Sequence, residues 1–333
     1  MFKKIILHIK KIFVFTFNFN PLIAVQLVIF PVIWKNKPAY DLFSYQHKVI
    51  MDYLKRKYRK IIKKFTEKRN EIDPSFADNY PVWFLWWQGE ELMPPVVKIC
   101  YQTLLKFSNG HKVNLVTENN YKDFVNIPEY ILKKVSKKNI SLTHLSDILR
   151  LCLLYEHGGL WIDSTVLLSC PLAPLPKICA HLGFWTPKDD GSIITTCFKA
   201  NNWIVREGRW LTFCFYSSKR NILTEFVMTM FLVYVKNKNI MIDYFLFDYF
   251  IAIAYDVIQE VRIMIDSVPE NNPKVHEIYH RLNLNYEYNK ELFDEICSKT
   301  FFHKLNMKDE LKQYTKDGKL TNYGYIINNY PPK

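Results

Sequence analysis

Apolar residues between positions 141 and 174 follow a helical spacing first and a strand spacing afterwards. The apolar positions that recur every three or four residues predict a helix: Leu145, Ile148, Leu149 and Cys152. Thr143 or Ser146 can cap its start, and Gly158 can end it because glycine accepts left-handed backbone conformations. The apolar run 160–162 then predicts a short strand, which ends at Asp163. The pattern therefore predicts a helix, a glycine turn and a buried strand with a carboxylate at its end.

The same pattern predicts strands and helices in alternation along much of the chain. Val82–Trp87 and Lys112–Thr117 are predicted strands, and a predicted helix opens after Pro94 between them. Glu225–Val235 and Ile240–Tyr255 are predicted helices. Strands that alternate with helices indicate an α/β fold with a mainly parallel, mixed sheet.

A basic helical region is predicted at the N-terminus. Apolar residues from Ile50 to Phe65 follow helical spacing, and basic residues from Lys55 to Lys64 fill most positions between them. The apolar segment 12–34 contains two prolines and two asparagines, so we do not expect it to span a membrane. A basic amphipathic helix is typical of attachment to an anionic membrane surface. A helix packed on the domain with a solvated basic face produces the same pattern.

The composition excludes several classes of protein. The chain has 333 residues, of which 49% are hydrophobic and 16% aromatic, so it can bury a substantial core and is not a disordered protein. Its net charge is +13, most of it in the first seventy residues. No nucleic-acid recognition motif accompanies this charge, so we expect no nucleic-acid partner. The seven cysteines include no Cys-x-x-Cys pair, which favours a reducing compartment.

Three charged residues in the central stretch are candidates for chemistry. Asp147 and Arg150 are three residues apart on a helix and therefore share one face. Asp163 ends a strand, and ligands of open α/β sheets bind outside the carboxyl ends of strands. A carboxylate there can face a cation, and an arginine can grip an anionic group through its planar fork. An intrahelical ion pair and a turn-capping aspartate would explain the same residues structurally.

The string SDILRLCLLYEHGGLWIDSTV, residues 146–166, resembles the core of capsular polysaccharide synthesis proteins and their relatives in glycosyltransferase family 32. Those proteins carry a Ser-Asp-x-x-Arg helix, a Gly-Gly turn and a motif of the Asp-x-Asp (DXD) type. The strings WFLWWQGEELMPP, residues 83–95, and TFFHKLN, residues 300–306, add to the resemblance. It frames most of the chain, from about Pro81 to Lys308.

The resemblance implies a GT-A-like nucleotide-sugar-binding fold with a mainly parallel mixed sheet. It implies a hexosyltransferase-type enzyme that moves a sugar from a nucleotide-sugar donor, with UDP favoured, to a capsular or other cell-surface polysaccharide or a lipid-linked oligosaccharide. Retention of the anomeric configuration is expected. We divide the chain into a basic N-terminal helical region at 1–75, a catalytic domain at 76–310 and a C-terminal appendage at 311–333. We expect the protein in the cytoplasm, peripheral on the inner face of the membrane.

The resemblance also implies roles for matching residues. Asp163, with Thr165 and His303 as further ligands, is expected to hold Mn²⁺ or Mg²⁺ between the donor phosphates. Arg150 and Lys304 are expected to bind the leaving diphosphate. The motif departs from the family pattern, because Thr165 stands where many members have a second aspartate. A site without metal that relies on arginine and lysine therefore stays open.

Further candidates surround this group. Asp147 is expected to orient the donor sugar hydroxyls or Arg150. Trp86, Trp87 and Gln88 follow the first strand, where they can line the nucleotide, although tryptophans in a strand also pack in cores. Asp248 interrupts a very apolar run, and we expect it to face the site. A polar, aromatic patch at 201–208 is a candidate acceptor surface.

Two alternatives belong to other functional classes. His276-Glu277-Ile278-Tyr279-His280 is formally an H-E-x-x-H motif, which on a helix binds zinc in metallopeptidases. Its polar surroundings and the proline just before it are unlike a buried zinc helix. The basic N-terminal region alone would suit a non-catalytic scaffold at a membrane. The metallopeptidase alternative predicts bound zinc. The scaffold alternative predicts lipid binding and no affinity for a nucleotide sugar.

Overall fold

The computed structural model describes residues 2–30, 39–68, 79–172, 184–185, 212–267, 272, 274–280, 283–308 and 310–329. The strands in this part of the chain are β1 (Val82–Leu85), β2 (Val113–Val116), β3 (Gly159–Ile162), β4 (Val166–Leu168), β5 (Phe184–Trp185), β6 (Cys214–Ser217) and β7 (Phe302–Lys304). Five of them form one sheet in the order β2-β1-β3-β6-β5, while β4 and β7 form a separate antiparallel pair.

The main sheet is mixed and mainly parallel. β1 pairs in parallel with both β2 and β3, whereas β6 pairs antiparallel with β3 and with β5. Only β6 therefore runs against the other four described strands. Every residue of β3 and β6 is buried, which explains their continuous apolar sequences. The predicted fold class, α/β with a mainly parallel mixed sheet, is confirmed.

Helices cover the sheet and precede it. The described α-helices are α1 (Phe2–Asn18), α2 (Pro21–Ala24), α3 (Ala39–Lys57), α4 (Arg59–Thr66), α5 (Pro95–Lys106), α6 (Glu129–Ser136), α7 (Leu142–His157), α8 (Ile222–Asn237), α9 (Leu246–Val257), α10 (Gln259–Ser267), α11 (Glu277–His280), α12 (Lys290–Lys299) and α13 (Asn322–Asn329). None of these described helices combines the length and the apolar character needed to cross a bilayer.

Two details of the predicted helices were wrong. Ser141 caps α7, not Thr143 or Ser146, because its hydroxyl accepts the His144 amide at 3.3 Å. The predicted helix 240–255 begins only at Leu246, since the preceding residues form a loop in which Asp243 accepts the Phe245 amide at 2.9 Å. Both differences concern polar side chains that compete with helical backbone bonding.

The basic N-terminal helices pack on the α/β domain. Phe65 of α4 meets Phe226 of α8 edge to face, and His47 of α3 bonds the Tyr249 hydroxyl at 2.6 Å. Lys55 forms an ion pair with Asp256 at 2.5 Å. The apolar side of this amphipathic segment is therefore buried against the domain. This is the second of the two arrangements that the sequence left open. The predicted boundary at residue 75 lies outside the described residues.

The C-terminal residues belong to a second, smaller core. Tyr323 and Ile326 of α13 are buried with Val96 and Ile99 of α5 and Phe293 of α12. The segment predicted as an appendage at 311–333 therefore covers α5 and α12 with its described part. Among the described residues, the cysteines at positions 100, 152, 170 and 297 are free thiols.

Candidate active site

Asp163 lies at the carboxyl end of β3, in a turn that leads directly into β4. Its amide donates to the Phe213 carbonyl at 2.7 Å, and its own carbonyl accepts the Val166 amide at 3.0 Å. The backbone therefore holds the residue from both sides. In the register of the sheet, β3 pairs with β1 up to Phe84 and Ile162, so Asp163 follows the last paired position.

Three N–H donors converge on the Asp163 carboxylate. Arg150 Nη2 donates to Oδ1 at 2.8 Å, and Trp161 Nε1 donates to the same oxygen at 2.7 Å. Lys304 Nζ donates to Oδ2 at 3.0 Å. Two cations thus share one carboxylate at a strand end, and Asp147 lies near Arg150 as a second acidic group. An anion brought to it would meet both cations.

Arg150 is the buried centre of the cluster, with a side chain only 5% exposed. Its Nη1 donates to the Thr212 carbonyl at 2.8 Å, and its Nη2 lies 3.6 Å from Asp147 Oδ1. The guanidinium lies over the rings of Trp161 at 4.8 Å and Phe247 at 5.3 Å. A planar, delocalised cation suits stacking between aromatic faces, which a lysine would not reproduce.

The Gly158-Gly159 turn brings the arginine and the aspartate together. α7 ends at His157, Gly158 caps it, and β3 starts at Gly159, whose φ is +101°. A Cβ on Gly159 would lie 2.2 Å from the Pro81 carbonyl oxygen, so only glycine fits here. Trp83 Nε1 also donates to the Gly158 carbonyl at 2.8 Å. The turn therefore reverses the chain so that α7 packs beside β3, the strand that leads to Asp163.

The β4–β7 pair brings Lys304 to Asp163 and leaves His303 elsewhere. Val166 pairs with Lys304 and Leu167 with His303, and neighbouring side chains on a strand point to opposite faces. His303 is fully buried, with Nε2 at 2.9 Å from Ser169 Oγ. Burial lowers the pKa of His303 to about 3, against the opposing hydrogen bond with the Thr300 backbone. The structure therefore does not bring His303 to Asp163 as the predicted metal ligand.

The carboxyl groups around Arg150 differ in their protonation. Burial alone would raise the pKa of Asp163, but Lys304, Arg150 and the Trp161 hydrogen bond lower it below its ordinary value. Burial raises the pKa of Asp147 to about 6, with Arg150 opposing and Asp163 reinforcing the shift. Burial also raises the pKa of Asp248 to about 7, and the charge of Asp147 adds to it. One carboxylate is thus firmly ionised, and two neighbours titrate near neutrality.

Asp248 approaches the cluster from α9. It lies in the first turn of that helix, beside Phe247, whose ring contacts the Arg150 guanidinium. The loop before α9 carries Tyr244, whose pKa is raised by partial burial and by the charges of Asp147, Asp163 and Asp248. The expectation that Asp248 faces this group stays a prediction.

The profile of the family described as capsular polysaccharide synthesis protein matches residues 31–325. The chain belongs to this family. Among solved structures, the apo form of the bifunctional glycosyltransferase WbbM is similar to the chain, with a TM-score of 0.40 and 11% identity over 78% of this chain and 51% of that one. The chain therefore spans about half the length of that structure. The comparison with curated proteins finds no match.

The family match and the mainly parallel, mixed α/β sheet are what the comparison and the structure establish for this chain. The resemblance noted from residues 146–166 is thereby confirmed at the level of the family. The matched range extends from the N-terminal region into the first half of α13, well beyond the three strings that carried the resemblance.

Trp86, Trp87 and Gln88 lie just after β1, at the same carboxyl end of the parallel strands as Asp163. Trp86 Nε1 donates to the Leu92 carbonyl at 3.1 Å, and the Trp87 ring lies 5.4 Å from that of Tyr121. Gln88 is exposed. Their place at the edge agrees with the predicted nucleotide-binding role, which stays a prediction.

The described donor set does not fit the predicted divalent metal. Both oxygens of Asp163 already accept bonds from N–H donors, so a metal ion would have to displace Arg150 or Lys304. Thr165 offers one hydroxyl, a weaker ligand than a carboxylate. In the part of the chain that the structure describes, no group of three His, Cys, Asp or Glu residues is placed to hold a metal. Metal dependence stays a prediction.

The H-E-x-x-H motif does not form a zinc helix. α11 begins at Glu277 and has four residues, so His276 precedes it. His276 and Glu277 are both buried, and the His276 ring meets Phe213 at 5.9 Å. A zinc peptidase needs both histidines on one helical face, so the geometry does not support that alternative. The predicted acceptor patch at 201–208 lies outside the described residues.

Sequence reasoning missed Trp161 and His144. The Trp161 indole bonds Asp163, and its two-residue spacing places both side chains on one strand face. His144 precedes Asp147 by one helical turn; its Nδ1 lies 2.7 Å from Ser141 Oγ, while its buried Nε2 has no partner among the described residues. The i, i+3, i+6 spacing of His144, Asp147 and Arg150 was the available signal.

Proposed function

We propose that this protein transfers a sugar from a UDP-sugar to a capsular or other cell-surface polysaccharide, or to its lipid-linked precursor, with retention of configuration. The observation that carries the proposal is the convergence of Arg150 and Lys304 on Asp163 at the carboxyl end of β3. Ligands of open α/β sheets bind at this edge, and two cations there suit a diphosphate.

The two cations have different parts in the proposed reaction. Lys304 is 24% exposed and Arg150 only 5%, so Lys304 is the cation that an arriving diphosphate can reach first. As the bond between the sugar and the diphosphate breaks, negative charge grows on the leaving oxygen. A preorganised cation stabilises that charge, and removal of one such group typically costs about 100- to 1,000-fold in turnover.

Asp163 and Asp147 prepare the site in this scheme. Asp163 holds both cations in place before the donor binds, which avoids their reorganisation during the reaction. Asp147 lies next to Arg150, and burial is the main reason that its pKa is raised to about 6. In this scheme it accepts hydrogen bonds from the sugar hydroxyls. The acceptor hydroxyl attacks from the side of the leaving group, and its proton passes to the departing phosphate oxygen, so no enzyme nucleophile is assigned.

We propose that the reaction takes place on the cytoplasmic face of the membrane. Nucleotide-activated donors and membrane-bound acceptors meet there, and the basic N-terminal helices favour an anionic surface. This placement is independent of the geometry around Asp163.

A thermal-shift screen of the purified full chain tests the transferase. UDP, GDP, CMP and their common sugars are added with Mn²⁺ or with EDTA, to wild type, Lys304→Ala and the matched control Lys308→Ala. A ligand that binds only the folded state stabilises it by about 2.7 kcal/mol at a hundred times its dissociation constant. We expect a shift with one nucleotide that is lost in Lys304→Ala and kept in Lys308→Ala. No shift with any nucleotide or nucleotide sugar would contradict the proposal and favour the non-catalytic scaffold.

A further inference from the structure

A cationic groove lies at the break between α3 and α4. It is open and has a volume of about 700 Å³. Five of its lining residues are cationic: Arg56, Lys57, Arg59, Lys60 and Lys238. The remaining described lining residues are neutral. So many cations without a lining carboxylate repel one another, and an anion in the groove would relieve that repulsion.

The local backbone concentrates this charge. Tyr58 interrupts the helix with φ −108° and ψ 19°, and its buried ring packs near Tyr234 of α8. The first turn of α4 therefore starts with Arg59 and Lys60 and contains no acidic residue. Cations at a helix N-terminus face the positive end of the helix dipole, which is unfavourable unless an anion binds there.

Lys238 closes the groove from the opposite wall. It follows the C-terminus of α8, donates a hydrogen bond to the Asn18 carbonyl at the end of α1, and lies 5.0 Å from the Phe19 ring centroid. Its pKa is lowered by burial and by the nearby charge of Lys57. The two walls thus place like charges close together, next to the C-terminal end of α1.

α1 carries an exposed apolar stripe that ends beside the groove. The stripe consists of Ile6, Ile9, Phe13 and Phe17, with exposures of 55%, 48%, 58% and 83%. The spacing of three and four residues places them on one helical face. Lys10 and Lys11 are exposed next to them. A contiguous apolar face in water marks a surface that is covered by something else.

We propose that the cationic groove binds the phosphate headgroup of an anionic lipid while the apolar stripe of α1 enters the bilayer beside it. Phe17 is adjacent to Asn18, whose carbonyl is bonded by the groove residue Lys238, so one lipid surface can cover both features. This inference rests on the membrane location proposed above and does not depend on the transfer reaction.

Other occupants explain less of the surface. A free phosphate or a polynucleotide would satisfy the cations but would leave the stripe of α1 in water. The apolar side of α3 and α4 is unavailable to lipid, because residues such as Leu54 and Phe65 are buried against the domain. The membrane-facing surface is therefore α1 with the groove, rather than the amphipathic face predicted from the sequence.

Vesicle co-sedimentation of the full chain tests the proposal. The probes are phosphatidylcholine vesicles with and without phosphatidylglycerol. The groove variant is Lys57→Gln with Lys60→Gln, and its matched control is Lys63→Gln with Lys64→Gln, the same change of charge on neighbouring exposed positions of the same helical segment. The stripe variant is Phe13→Asn with Phe17→Asn. Unchanged far-ultraviolet circular dichroism establishes that each variant is folded.

We expect binding to the anionic vesicles only, at least about tenfold weaker for the groove variant than for the control, and strongly reduced for the stripe variant. If the groove variant and the control variant lose vesicle binding equally, the attraction is a diffuse charge effect. That result would overturn the proposal that the groove binds the headgroup. A stripe variant that binds vesicles as well as wild type would overturn the proposal that lipid is the ligand. So would inorganic phosphate or duplex DNA that displaces the vesicles and binds the chain more tightly than they do. A chain that binds no vesicle but still shifts with a nucleotide would remove the membrane location and leave the transferase standing.

Discussion

Arg150 Nη2 and Asp163 Oδ1 form an ion pair of 2.8 Å that ties the middle of α7 to the end of β3. The Gly158-Gly159 turn lies between the two residues in the sequence. Lys304 of β7 pairs with the other carboxylate oxygen of Asp163. The helix α7 and the strands β3 and β7 are therefore linked at one carboxylate.

Asp163→Asn should abolish turnover while the fold survives. The variant keeps the side-chain shape but removes the charge that holds Arg150 and Lys304, so we expect turnover to fall at least about 100-fold. Stability should fall by about 1–3 kcal/mol, because a buried guanidinium loses a charged partner. Denaturant unfolding and a transfer assay measure the two effects. Normal turnover in a folded variant would show that the site is elsewhere.

Arg150→Lys should be as damaging as a non-conservative change. Lysine cannot bond Thr212 and Asp163 together while stacking on Trp161, so we expect a loss of about 2 kcal/mol in the free energy of unfolding. Arg262→Lys is the control, because Arg262 is exposed, donates to the carbonyls of Tyr255 and Asp256 and lies over one ring, that of Tyr255, but has no ion pair with a buried carboxylate among the described residues. That control should change stability by less than about 0.5 kcal/mol. Equal effects in both variants would contradict the central role of Arg150.

Lys304→Ala should weaken donor binding more than it weakens the fold. Removal of one charged hydrogen bond to a diphosphate typically costs about 10- to 100-fold in the dissociation constant. Titration of the nucleotide by calorimetry measures this, with Lys308→Ala as the exposed control on the same segment. A dissociation constant that is unchanged in Lys304→Ala would remove Lys304 from the donor site.

Asp248→Asn should change how stability depends on pH. Burial, and then Asp147, raise the pKa of Asp248 from 3.8 to about 7, so the folded state binds the extra proton between these values. The free energy of unfolding contributed by this group therefore falls as pH rises from about 4 to 7. We expect Asp248→Asn to be more stable than wild type at pH 8 and to lose less stability between pH 5 and 8. Exposed Asp317→Asn should keep the wild-type slope, and an unchanged slope in Asp248→Asn would contradict the assigned burial.

Local pattern predicted the central unit well, because its determinants are close in sequence. The spacing of Leu145, Ile148 and Leu149 predicted α7, and Gly158 predicted its end. The Asp147–Arg150 spacing predicted a shared helical face, which the 3.6 residue period enforces. The alternation of strands and helices likewise predicted the mainly parallel sheet.

Long-range pairing decided what the pattern left open. Lys304 is 141 residues from Asp163 in sequence and meets it only because β7 pairs with β4 in one register. The same register turns His303 to the other face, since side chains alternate along a strand. No local pattern of TFFHKLN distinguishes these two neighbours.

The sequence by itself determined which faces are apolar, which strands end in charged residues and to which family the chain is similar. Only the tertiary structure decided what covers each apolar face: the domain buries that of α3 and α4, while the stripe on α1 stays exposed. Periodicity is a property of one element, whereas burial and the partners of a charge depend on elements that the fold brings from elsewhere in the chain. For that reason the Asp163 cluster was visible in the sequence as separate residues, and as a site only in the folded chain.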